Sequence, residues 1–107
     1  MAFYELRQYT IKPDKMAEWI TLMEGEIIPF QVAQGMVITG SFRGEEDDSV
    51  YIWMRRFQSE EERKALYAAV YESEYWKNVV SPQVAELIDR EKNHITRIVP
   101  TEKSTTQ

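Results

Sequence analysis

The segment Ser49–Phe57, SVYIWMRRF, alternates two sets of large side chains, and this alternation restricts the fold more than any other feature of the chain. Successive side chains of a strand point to opposite faces, so Val50, Ile52 and Met54 share one side while Tyr51, Trp53, Arg55 and Phe57 share the other. Both sides are apolar enough to need cover. The stretch Phe3–Ile11, FYELRQYTI, has the same chemistry, with Leu6 falling in with the aliphatic set and Glu5, Arg7 and Tyr9 with the aromatic one.

Helical spacing lies on either side of these strands. Met16, Trp19, Ile20, Met23, Ile27 and Phe30 recur at three- and four-residue steps. Pro13 suits a first helical position, and Pro29 predicts a kink or an end near Ile28. Gly35 is placed to cap that helix, and Met36–Phe42, MVITGSF, reads as a second strand, joined to the third by RGEEDD. Ser59 with Glu62 forms a capping-box signature that opens an interrupted helical region running to Ile88. Asn93–Val99, NHITRIV, returns to strand chemistry, and residues 100–107 form a polar, flexible C-terminal tail after a domain of residues 1–99.

The order β-α-β-β-α-β predicts an α+β, ferredoxin-like sandwich. Its four-stranded antiparallel sheet has strands one and three in the centre and both helices on one face. The aliphatic set, Leu6, Ile52 and their neighbours, is assigned to the helices. The aromatic set then lies on an open face that needs a partner or a ligand.

Composition removes several functions. There is no cysteine and a single histidine, so thiol chemistry and the usual zinc sites are excluded, and neither a metal nor a cofactor is implied. Net charge −5 opposes nucleic-acid binding. No stretch has the length and apolarity of a secretory signal or a membrane span, which makes the cytoplasm the expected compartment. Glu45, Glu46, Asp47 and Asp48 lack the spacing of a calcium loop and read as a solvated hairpin tip.

The segments YELRQYTIKPDK (Tyr4–Lys15), SVYIWMRR (Ser49–Arg56) and SEEERKALYAAVYESEYW (Ser59–Trp76) resemble the NIPSNAP family of the dimeric α+β barrel superfamily, over roughly residues 3–99. The resemblance implies a homodimer whose sheets face one another as a barrel. Asp14 departs from the family pattern, which usually has glycine after Lys-Pro. Barrel relatives include cofactor-independent monooxygenases, cyclases and haem-degrading enzymes. Haem degraders pair a first-strand Asn with a Trp and with a His on the second helix, whereas this chain offers Glu5, Arg7 and a last-strand His94, which disfavours that activity.

Candidate site residues follow from strand parity. Arg7, Tyr9, Tyr51, Trp53 and Arg55 are expected to bind a small aromatic or acidic organic molecule, with Glu5 or His94 as candidate proton-transfer groups. The bland alternatives are that Glu5 pairs with an arginine, that the aromatics fill a dimer core, and that His94 is a surface residue whose face turns on one residue of register. The opposing functional class is a protein-interaction or regulatory module that uses the barrel only to dimerise. A polar-lined pocket of ~300 Å³ or more favours the ligand binder, and a solid interior favours the module.

Overall fold

A computed structural model describes residues 2–107. The elements run β1 (Phe3–Ile11), α1 (Met16–Leu22), α2 (Ile28–Ala33), β2 (Val37–Arg43), β3 (Val50–Phe57), α3 (Glu60–Tyr71), α4 (Ser81–Leu87) and β4 (Ile88–Ile98), with π-helical turns at Met23–Ile27 and Trp76–Val80. The strands form one antiparallel sheet in the order β2-β3-β1-β4, so β1 and β3 are central and the fold is ferredoxin-like.

Local chemistry accounts for the element ends. The Ser59 hydroxyl accepts from the Glu62 amide at 3.1 Å and the Glu62 carboxylate accepts from the Gln58 amide at 3.0 Å, which fixes the start of α3. Gly35 ends α2 with φ of +109°, a conformation that glycine adopts without steric penalty. The first helix starts at Met16, three residues beyond Pro13, because Asp14 occupies the left-handed region with φ of +62° and cannot belong to a helical turn. A short polar side chain is among the few that bear this conformation. Each π turn immediately precedes a proline-containing helix start, Ile28-Pro29 and Ser81-Pro82. A proline cannot donate to the carbonyl four residues back and its ring crowds that carbonyl, and a locally widened turn relieves the conflict. β4 begins at Ile88, five residues before the strand read from Asn93, and its pairing with β1 slips between Gln8 and Thr10, leaving residues 90–93 looped out opposite Tyr9.

The helices cover the aromatic face of the sheet. Tyr51, Trp53, Arg55 and Phe57 are all buried, packed with Trp19, Leu22, Met23 and Ile27 from the first helical run and Val80, Val84 and Leu87 from the second. A second cluster of Phe3, Met36, Phe57 and Val70 closes the other end. The expectation that Leu6 and Ile52 face the helices is therefore corrected, because both lie half-buried on the opposite side of the sheet. Two-residue parity holds and the face is reversed. The polar groups Glu5 and Arg55 are carried into the interior as cross-strand partners that neutralise one another.

The open face carries Leu6, Val50, Ile52 and Met54 half-buried and Val37, Phe42 and Ile98 more exposed. Residues 100–107 fold back to that side, where Pro100, Thr101 and Ser104 line a hollow with Tyr4 and Met54, and Arg56 Nε donates to the Gln107 carbonyl at 2.8 Å.

Candidate functional site

The register places Glu5 opposite Arg55, Arg7 opposite Trp53 and Tyr9 opposite Tyr51, so six of the residues singled out by parity form one patch across the two central strands. That patch lies beneath the helices. Residues of α2, α3 and the two π turns close over it and divide it into two layers.

The inner layer is a fixed polar network. Arg55 is fully buried and gives Nη1 to the Gln31 side-chain oxygen at 3.0 Å and to the Tyr71 hydroxyl at 2.8 Å, and Nη2 to Glu5 Oε1 at 2.9 Å and the Tyr67 hydroxyl at 3.0 Å. Tyr67, from α3, is the hub. Its hydroxyl lies 2.7 and 2.6 Å from the two Glu5 oxygens and accepts from Arg7 Nη2 at 2.7 Å. Burial alone would raise the Glu5 pKa, but the Tyr67 hydrogen bond and the charges of Arg55 and Arg7 outweigh it and hold the carboxyl below its ordinary range. Glu5 is thus held as a carboxylate and engaged by Tyr67 and Arg55.

The outer layer is a cavity of about 230 Å³ between the sheet and the helices. It is lined by Arg7, Tyr9 and Trp53 from the sheet, by Trp19 and Met23 from the first helical run, and by Trp76 at the second π turn, with Arg90 and Asn93 of the looped-out β4 segment at its side. Arg7 donates Nη1 to the Tyr9 hydroxyl at 3.0 Å and leaves Nε without a hydrogen-bond partner, 3.6 Å from Glu5 Oε1. Six buried side-chain polar atoms lack a partner among the described residues, and four of them belong to cavity-lining residues: Arg7 Nε, Trp19 Nε1, Trp53 Nε1 and Asn93 Oδ1. Buried polar groups are nearly always satisfied, so four such atoms around one cavity call for an explanation. A wider hollow of about 580 Å³ beside Asp14, Ile20 and Arg43 has none of these atoms.

Of the residues expected to bind a ligand, Arg7, Tyr9 and Trp53 line the cavity, whereas Tyr51 and Arg55 pack behind it. The Tyr51 hydroxyl pairs with that of Ser41 at 2.6 Å, and burial pushes its pKa up to about 12. His94 pairs with Gln8 on the opposite, open face and is exposed. Sequence reasoning missed Tyr67, Trp19, Trp76 and Asn93. The three aromatics were visible only as a helical stripe, and Asn93 becomes a wall residue through a strand slip that no local pattern announces.

This architecture, helices on one face of a four-stranded antiparallel sheet with a polar-studded cavity between them, is ferredoxin-like. A protein from Nitrosomonas europaea named as an antibiotic biosynthesis monooxygenase shares the fold with a TM-score of 0.72 at 10% identity, over 96% of this chain and 93% of its own. Residues 4–103 match the NIPSNAP family, and the chain belongs to that family. A NIPSNAP family protein from Agrobacterium tumefaciens is similar over 100% of both chains, at 25% identity and a TM-score of 0.87. A second protein of that family from the same organism, of unknown function, has a TM-score of 0.88 at 21% identity, covering 99% of this chain and 94% of its own. No curated protein matches the chain.

Proposed function

We propose that this NIPSNAP protein binds a small aromatic or acidic organic molecule in the cavity between sheet and helices. The observation that carries the reading is that four buried, unpaired atoms, Arg7 Nε, Trp19 Nε1, Trp53 Nε1 and Asn93 Oδ1, belong to residues that line one cavity. Three of these atoms donate and one accepts, which suits a ligand with oxygen substituents on a flat apolar body. At about 230 Å³ the cavity is below the ~300 Å³ at which drug-sized ligand sites begin, yet the interior is not solid. An apolar cavity of about 150 Å³ takes up benzene, so one substituted ring has room here.

Neither a carboxylate nor an imidazole lines the cavity. Cofactor-independent oxygenation, cyclisation or isomerisation at this site would therefore depend on a substrate that surrenders its own proton, with Arg7 stabilising the anion, and not on Glu5 or His94 as base. The interaction-module reading attaches instead to the open face. There Val37, Phe42 and Ile98 leave apolar surface that a second copy, related by a twofold axis, would cover.

All three tryptophans line the cavity, so binding has a direct optical readout. A metabolite mixture passed over the immobilised protein and analysed by mass spectrometry should return an aromatic or acidic compound that quenches tryptophan emission. Val84→Trp, which fills the cavity from α4, should abolish both signals. A retained metabolite that binds the filled variant equally well would place the ligand elsewhere.

A further inference from the structure

We infer that the occupant of this cavity is an aromatic monoanion, its charge held by Arg7; the inference rests on the cavity reading and specifies its ligand class. The charges around the site do not balance. Two guanidinium groups, Arg7 and Arg55, are enclosed by the fold and share a single carboxylate, Glu5, which lies 2.9 Å from Arg55 and 3.6 Å from Arg7. The shorter pair has the hydrogen bond and the longer pair has none. Glu5 is hydrogen-bonded to Arg55 and meets Arg7 only through the longer ion pair, while the hydrogen bonds of Arg7 go to the neutral hydroxyls of Tyr9 and Tyr67.

Two enclosed cations that share one carboxylate leave a net positive charge in the interior, which is costly and which an arriving anion would offset. The rest of the lining points the same way. Arg90, exposed at the side of the cavity, is held by the carbonyl and hydroxyl of Ser81 at 3.3 and 3.2 Å and has no carboxylate partner among the described residues. The wall therefore has two cationic side chains and no acidic one, in a chain whose net charge is −5. Such a local reversal of sign attracts anions and disfavours cations of the same shape.

The walls also set the body of the ligand. Trp53 lies opposite Arg7 across the central strands, and Tyr9 meets Trp53 edge-on at 6.3 Å between ring centroids and Trp19 at 5.8 Å. Aromatic surfaces at this spacing receive a flat ring edge-on or offset. Arg7 Nε and the two indole N–H groups are left to meet the anionic oxygens, and Asn93 Oδ1 remains for a ring hydroxyl.

The test pairs each anion with its neutral isostere: benzoate against benzamide, and salicylate against salicylamide, titrated into the full chain while the indole N–H resonances of Trp19, Trp53 and Trp76 are followed by NMR. The carboxylates should bind at least about tenfold tighter than the amides, the ratio expected when a charge-assisted contact is gained. In Arg7→Gln the ratio should fall to within about twofold, and in Arg7→Lys part of it should return. Acids and amides that bind alike, with the Trp19 and Trp53 resonances moving for both, would overturn the anion assignment and leave the cavity reading standing. Indole resonances unmoved by all four compounds would overturn both.

Discussion

Tyr67→Phe isolates the hub of the buried network without opening a cavity, since only the hydroxyl is lost. Its proton serves one Glu5 oxygen at a time, so the substitution removes one charge-assisted bond to Glu5 and the acceptor that Arg7 Nη2 reaches at 2.7 Å. Arg55 Nη2 keeps Glu5 as its partner. Hydrogen bonds to charged groups contribute about 1.5–3 kcal/mol each, and water admitted beside the half-buried ring recovers part of that, so the expected loss is about 2–4 kcal/mol at pH 7. The pH dependence gives a second reading. A carboxylate whose folded pKa is depressed contributes stability above its unfolded pKa, about 4.3 for Glu, and loses it as pH falls through the folded value. Without the Tyr67 hydroxyl, the first of the effects that lower the Glu5 pKa, that pKa rises towards the unfolded value, and less stability remains to be lost in acid. Urea melts of both proteins at pH 7 and between pH 5 and 3 measure both effects. A loss below about 0.5 kcal/mol at pH 7, or parallel pH curves, would refute the network as drawn.

The faces of β3 predict opposite outcomes for neighbouring strand positions. Phe57→Ala, in the closed core, should cost about 3–5 kcal/mol, whereas Ile52→Ala should cost less than about 1.5 kcal/mol at high dilution and more as concentration rises if two copies pair through the open face; melts over a concentration series with light scattering check both. Glu60 is bonded to Arg63 and Arg97, and its carboxyl should titrate near 2 by carbon-detected NMR, with Arg63→Gln moving the midpoint up and an unperturbed wild-type midpoint contradicting the triad.

Strand order, parity, the capping box at Ser59 and the left-handed Gly35 were all legible because each rests on local chemistry. The choice of face was not. Leu6, Ile52 and Met54 compete with Tyr51, Trp53 and Phe57 for the helices, and both sets are apolar. What decides between them is Tyr67, one helix away, which makes burial of Glu5 and two arginines tolerable. A residue sixty positions distant cannot be read from the periodicity of the strand it serves. The site residues were found in the right company for the same reason that their surroundings were misjudged: parity groups side chains but does not say what covers them. The irregularity expected near Ile28 falls in the turn just before it, Met23–Ile27, where the backbone widens to free the proline ring.

The two π turns constrain how this chain can vary in length. A turn closed over five residues contains one more residue than an α turn, and each residue of an α-helix advances the side chains by about 100°. Deleting a single residue from Met23–Ile27 would convert it to an ordinary α turn and leave Trp19 and Phe30 on the faces they now occupy, because the wide turn already absorbs the extra residue. At Gly25 a side chain would meet no atom within 4 Å, so that position is free to change its identity. Its loss would also leave the flanking faces in place. Between proteins of this fold, one-residue gaps should therefore collect at Met23–Ile27 and Trp76–Val80, whereas a gap elsewhere in these helices would turn the cavity wall by about 100°.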